Sequence, residues 1–295
     1  MKVISWNLLH GQPLPPPSTP LPAEEAARLL TIAGSTLSKL GVDLLGVQEV
    51  DAAQPRSAKL SQVEILADAM AAEHWAFAPA IMGTPGETWR ALRGDEQVIE
   101  ESSGVKPGVK PGAKSGAKSQ PRYGIGLIST IPVKKWHRIE LGCSRIGLPL
   151  VIPAGGDSNE ASATKRVPIR FIYVRDEPRV ALAAELENGF TVAVTHLSFV
   201  PFVNYYQLMK VRRWLKALPG NPIVMGDLNL GWALPVRGTH WRSLRTMNTY
   251  PSWGSKIQFD YITAHVPDFG ERTIGEIEIP DLGISDHLPI GVEIL

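Results

Sequence analysis

The chain of 295 residues has a single cysteine, Cys143. That excludes an internal disulfide and a cysteine-based zinc site. Neither sign of charge dominates: 30 Lys and Arg stand against 29 Asp and Glu, for a net charge of +1. No global field therefore draws the protein to nucleic acid or to an anionic membrane, although charge can still be local. No run approaches the roughly 18 apolar residues of a membrane-spanning helix. The opening MKVISWNLLHG lacks the apolar core and cleavage site of a secretory signal. These absences lead us to expect a cytoplasmic monomer with no stable membrane insertion.

What is present is ordinary globular material. The hydrophobic fraction is 44% and the charged fraction 20%, enough for a substantial core. Val3–Trp6 and Val42–Val50 read as buried strands. Between them Gly11–Pro22 is a Pro-rich loop, and Ala23–Leu40 has helical spacing ended by Gly41. Ser57–Glu73 is expected to be a second helix and Trp75–Ile81 a strand. Arg122–Ser129 and Val133–Leu141 read as a strand pair, and Val151–Lys165 as a loop. Strands are expected over 166–175, 179–186 and 190–198, with Glu187-Asn188-Gly189 as a hairpin turn. Asn204–Leu218 is amphipathic and is broken by Pro219-Gly220-Asn221-Pro222. Ile223–Met225, Gln258–Thr263 and Pro289–Ile294 complete the strands. With no domain linker in sight, residues 1–295 are expected to form one domain. Its class is α/β (α+β), two packed sheets with helices outside.

One stretch stands apart. VKPGVKPGAKSGAKSQ, Val105–Gln120, carries a lysine at every fourth residue. Pro and Gly at this density oppose helix and ladder alike, so a flexible basic insertion is expected at about 102–120. It reads as a solubilising linker rather than as an electrostatic arm for a phosphate backbone, because the signal is only compositional.

Several apolar strands end in polar residues they do not need. These are Asn7 in SWNLLHG, Glu49 in GVQEVD, His196 in VTHLSF, and Asp227 with Asn229 in VMGDLNL. Asp260 in FDYI and Asp286-His287 in SDHLPI follow. Strand ends hold side chains rigidly for a shared site. Asn, Glu and Asp oxygens are hard ligands suited to Mg²⁺, Mn²⁺ or Ca²⁺. A cation of this kind neutralises charge on a phosphoryl group and its leaving group. A histidine nearby donates hydrogen bonds or moves protons, and an Asp beside it fixes its tautomer. Each residue alone has a plain structural role. Asp227 suits an Asx turn, His196 a core histidine, and Asp260 an ion pair with Arg242.

Taken in order, these stretches, with RYGIGLIS, resemble the endonuclease/exonuclease/phosphatase superfamily, also called the DNase I-like fold. TYPSWGSKIQFDYI resembles a pattern of bacterial members with no assigned substrate. The resemblance runs from Val3 to Ile290 and implies a four-layer α/β sandwich with its site at one edge of two mixed β-sheets. It implies metal ligation by Glu49, Asn7 and Asp286, with Mg²⁺ as the expected cation. Asp227 would orient or deprotonate water, and Asn229 would hold that water or a phosphate oxygen. His196 would bond the phosphate, and His287, oriented by Asp260, would stabilise the pentacovalent state. The activity implied is that of a metal-dependent phosphodiesterase, with a nuclease acting on DNA or RNA favoured. The alternatives are a phospholipid, sphingomyelin or inositol-phosphate esterase, and a silent phosphate-binding module. Retention of Glu49, Asp227, Asn229 and His287 speaks against silence. Arg122, Tyr123, Arg242 and Trp253 are the candidate substrate contacts, with Arg245 and Arg145 as further phosphate ligands, Tyr250 and Trp241 as further aromatic groups, and Trp253 either a base-stacking group or an anchor packed under its loop. Lipid-active members often bear exposed aromatic hairpins. Leu197–Tyr206 is the candidate here, and its aromatics are expected to pack inward.

Overall fold

The computed structural model describes residues 1–93, 96, 99–102, 120–153 and 169–295. The basic insertion lies almost wholly outside these residues, as does the greater part of the loop expected over 151–165. In chain order the main elements are β1 (Lys2–Asn7), α1 (Ala23–Lys39), β2 (Leu44–Ala52), α2 (Gln62–Ala69), β3 (His74–Gly83), β4 (Trp89–Ala91) and β5 (Glu100–Glu101). Next come β6 (Arg122–Ser129), β7 (Val133–Gly142), β8 (Leu148–Pro153), β9 (Ile169–Val174), β10 (Arg179–Leu186), β11 (Phe190–His196) and α3 (Val203–Leu215). The last are β12 (Asn221–Asp227), β13 (Trp241–Ser243), β14 (Asp260–His265), α4 (Val266–Phe269), β15 (Ile274–Glu276) and β16 (Ile290–Ile294).

Side chains alternate across each strand and so sort into layers. Val3 faces one way and Ile4 the other. Val192 and Val194 face one way, and Ala193 the other. The first sheet runs β15-β16-β1-β2-β6-β3-β4, with β5 on β3, and the second runs β13-β14-β12-β11-β10-β7. Both mix parallel and antiparallel pairs. Val3, Leu44, Leu127, Val192, Ile223 and Met225 fill the space between them. Leu30 and Leu37 of α1 and Leu66 of α2 cover the outer face of the first sheet. Leu208, Val211 and Leu215 of α3 cover that of the second. The result is the expected four-layer sandwich. Gly46 sets the spacing at its centre: a Cβ there would meet Met225 Cε at 2.5 Å and Val194 Cγ2 at 3.0 Å.

Three expectations differ. β6 and β7 do not pair. β6 sits between β2 and β3, while β7 crosses to the edge of the second sheet and pairs with β10. The crossover is the Thr130-Ile131-Pro132 link, held by Ser129 Oγ, which accepts from the Ile131 amide at 3.1 Å. The second helix is only Gln62–Ala69, because Ala58 and Lys59 adopt left-handed backbone that a helix cannot carry. Residues 151–153 belong to a strand, not to a loop.

Candidate active site

Strand register assembles half of the site. β11 runs parallel to β12, which runs antiparallel to β14, and His196 pairs with Asp227, which pairs with Asp260. Residues opposite one another in a sheet share a face, so these three side chains form one row at the edge of the second sheet. Gly226, just before Asp227, has φ 144, and a Cβ there would strike the Thr195 carbonyl oxygen at 1.8 Å. The other half comes from the first sheet. Asn7 ends β1, and Glu49 sits where the β2–β6 register shifts. That bulge holds Glu49 at φ 54, and Asn229 at φ 49 is also left-handed. Non-glycine residues kept in this region are concentrated at functional sites.

The Asn7 amide joins the halves. Its Nδ2 donates to Glu49 Oε1 and to Asp227 Oδ2, each at 3.0 Å. Asp227 Oδ1 accepts from the Asn229 backbone at 2.9 Å. Asn229 in turn donates to the Leu197 carbonyl at 3.0 Å. His287 Nδ1 lies 2.7 Å from Asp260 Oδ2, which also accepts from Thr249 Oγ1 at 2.6 Å. With Nδ1 as donor, His287 Nε2 is left facing Asp227 at 3.8 Å, while His196 Nε2 faces the same oxygen at 3.7 Å. The Ser285 hydroxyl pins this corner: it donates to the Asn7 carbonyl at 2.6 Å and accepts from the His287 amide at 3.0 Å.

The two histidines are electrostatic opposites. Burial pulls the His287 imidazole down, but the Asp260 charge and hydrogen bond, with Asp227 and Asp286, carry it well above its usual value. Those acids favour the imidazolium form of His287. Burial and then the charges of Arg179 and His287 push His196 well below its usual value. Arg179 Nη1 lies 3.1 Å from His196 Nδ1. A guanidinium only donates, so Nδ1 is the acceptor and the proton of the neutral ring sits on Nε2. The sequence reading missed Arg179, along with Glu177, a buried acid pushed up to about 7 by burial. Charged residues in RDEPRVAL, at the start of an apolar strand, were the available signal.

The carboxylates fit a hard divalent cation. Burial raises Asp227 to about 7, with Asp260 adding to the rise. Burial also raises Asp286 to about 6, with Glu49 contributing. Acids crowded in this way are relieved by a positive ion. Asp227, Asp260 and His287 offer ligand atoms within 4.8 Å of one another, but Asp260 and His287 are spent on each other. Glu49 and Asp286 are the carboxylates that remain, with Asn7 beside Glu49, its Nδ2 turned to that carboxylate and its Oδ1 accepting from the Leu9 amide at 3.1 Å.

Of the expected substrate contacts, two lie near the centre. Tyr123 is buried, and after burial itself the Glu49 charge is the main cause that raises its phenol. Trp253 is 38% exposed on the loop whose Ser252 amide donates to the Asp286 carbonyl at 2.7 Å. Arg242 does not reach the site. It pairs with Ala264, four residues along β14 from Asp260, about 13 Å at ordinary strand rise, and its guanidinium lies over Phe269. Nor does it pair with Asp260. Arg122 is bound to Glu100 at 2.6 Å, and Arg245 is buried against the Ile277 and Gly291 carbonyls. The aromatics of Leu197–Tyr206 do not pack inward: Phe202 is 88% and Tyr206 68% exposed. Asn204 and Gln207 take the inward positions of that turn instead.

A family model described as the endonuclease/exonuclease/phosphatase family matches residues 4–287. The chain belongs to that family of phosphoester hydrolases. Among solved structures it resembles a mannosyl-6-phosphatase of Bacteroides thetaiotaomicron VPI-5482, at 11% identity and TM-score 0.56, covering 100% of this chain and 99% of that one. A family protein of Leptotrichia buccalis C-1013-b is similar at 13% identity and TM-score 0.57, covering 100% and 99%. A functionally unknown conserved protein of Enterococcus faecalis V583 is similar at 13% identity and TM-score 0.54, again covering 100% and 99%. These likenesses speak to the fold. No curated protein matches the sequence. Among the described residues no helix is long and apolar enough to cross a membrane.

Proposed function

We propose that this protein is a divalent-metal-dependent phosphodiesterase, with nucleic acid as the favoured substrate. The observation that carries the reading is the convergence of His196 Nε2 and His287 Nε2 on one oxygen of Asp227, at 3.7 and 3.8 Å. Two N–H donors, one neutral and one cationic, then face the place where a phosphate would meet its attacking water. Asp227 accepts the water's proton. Asn229, fixed by the Asp227 and Leu197 contacts, holds the water or a non-bridging oxygen. The His287 imidazolium stabilises the added charge of the pentacovalent state. Glu49, Asn7 and Asp286 would hold Mg²⁺ or Mn²⁺, which neutralises phosphoryl charge when bound.

The test is hydrolysis of bis-p-nitrophenyl phosphate, single- and double-stranded DNA, RNA, sphingomyelin and an inositol phosphate, with Mg²⁺, with Mn²⁺ and with EDTA. Cleavage of a diester is expected only with metal. It should fall by at least about a hundredfold in His287→Ala, the usual scale for a proton-transfer or charge-stabilising group, and be lost in Glu49→Gln. Metal-independent turnover, or full turnover in Glu49→Gln, would sink the reading.

A further inference from the structure

The large apolar side chains exposed on this protein are not scattered. Of twelve that are exposed among the described residues, seven lie on three segments, 197–206, which runs into the first turn of α3, 228–240 and 249–259. The first two follow the strands that end at His196 and Asp227, and the third leads into the strand that begins at Asp260. They are also joined to one another. The Asn204 side chain donates to the Asn229 carbonyl at 2.8 Å. The Tyr261 hydroxyl bonds both the Trp232 and Gln258 carbonyls. Ile257 lies 4.0 Å from where a Cβ on Gly231 would stand. Phe202, Tyr206, Trp232, Leu234, Trp253 and Ile257 therefore lie on adjoining segments, on the side of the site built by the second sheet. Phe202 and Trp232 are 88% and 85% exposed, and both sit in left-handed backbone, at φ 67 and 57. Their backbones are tied down, the Phe202 carbonyl accepting from the Tyr206 amide at 3.0 Å and that of Trp232 from the Tyr261 hydroxyl, while their rings are left to solvent. Contiguous exposed apolar surface of this kind marks a binding face.

The charge pattern selects the occupant. From Asn188 to Phe259 there are eight Lys and Arg and a single acid, Asp227. Arg212 and Arg245 are buried, while Arg213, Lys216, Arg237 and Lys256 are exposed. The three loops carry no carboxylate of their own. Flat aromatic rings and a local surplus of cations suit an unpaired polynucleotide, since bases stack and phosphates are attracted, and the acids that border the loops, Asp227, Asp260 and Asp286, are those of the reaction centre. Bases within a duplex are already stacked and cannot use the rings.

From this we infer that the loops bearing Phe202 and Trp232 form a base-stacking platform that selects single-stranded nucleic acid and leads it to the reaction centre. The inference rests on the phosphodiesterase reading. The test uses full-length protein with Asp227→Asn to prevent cleavage, titrated with fluorescein-labelled oligo-dT of about twelve nucleotides, within the span of a stacking site. The same protein is titrated with a duplex and with phosphatidylserine-phosphatidylcholine vesicles. The single strand is expected to bind more tightly than the duplex. Phe202→Ala/Trp232→Ala should weaken strand binding by about tenfold or more, as loss of base stacking does. With Asp227 restored, the double variant should hydrolyse bis-p-nitrophenyl phosphate within about twofold of wild type. Unchanged oligonucleotide affinity in the double variant overturns the platform. So does vesicle binding that the double variant alone abolishes while strand affinity holds, which would assign the rim to a membrane. If wild type fails on the small reporter with either metal, the phosphodiesterase reading falls by itself, since strand affinity is measured without turnover.

Discussion

Asp260 bonds His287 Nδ1 at 2.7 Å, and that makes it a sharp test. In the proposed reaction His287 stabilises phosphate charge only while protonated, so activity is expected to disappear as pH rises through its raised pKa. Asp260 is the largest of the charges holding that value up. Asp260→Asn should therefore move the alkaline limb of kcat/KM to lower pH, while a merely structural acid would change the rate without moving the limb. Arg179 acts on the other histidine. Arg179→Gln removes the donor that keeps the His196 proton on Nε2. A loss of about ten- to a hundredfold in kcat is expected, the scale of one buried charged hydrogen bond. Recovery in Arg179→Lys would show that donation to Nδ1 is what matters.

Elements decide how much of this could be read from the chain. The strands ending at Asn7, His196 and Asp227 were legible, because apolar alternation stops at a polar residue that packing does not explain, whereas Glu49 does not end its strand but sits at a bulge inside β2, which runs on to Ala52. The helices flanking them were legible from the spacing of Leu30, Leu37 and Leu208. Sheet membership was not. Arg122–Ser129 and Val133–Gly142 look like a hairpin, and only the space between two sheets separates them. Arg179 was hidden for a related reason: a strand residue gives no sign of which side chain faces it across the ladder. Phe202 and Tyr206 misled because amphipathic spacing identifies a helix but not its first turn, where Asn204 and Gln207 take the inward places. Leu66, buried between α2 and the first sheet, belongs to the legible part. Leu66→Ala should lower unfolding free energy by about 2–5 kcal/mol, measured by urea titration, with the reporter's kcat unchanged at low denaturant.

Across the whole molecule the work is split. Glu49, Asn7 and Asp286 belong to the first sheet or the turn leading into it, and His196, Asp227 and Asp260 to the second. Cation binding is expected to raise the melting temperature of wild type, since a ligand held only by the folded state stabilises it. Glu49→Gln should show little of that rise. The split also means that the reaction centre straddles a seam. Anything that slides one sheet against the other moves Asn7 and Glu49 relative to His196 and Asp227, even when no site residue is touched. Gly46 sits on that seam under Met225 and Val194, whereas Leu37 packs on the helix side, away from it. Gly46→Ala should therefore reduce kcat far more than Leu37→Ala does, even where the two destabilise the protein equally. Catalytic alignment in this protein is a mechanical property of its central packing layer, open to adjustment from positions that never meet the substrate.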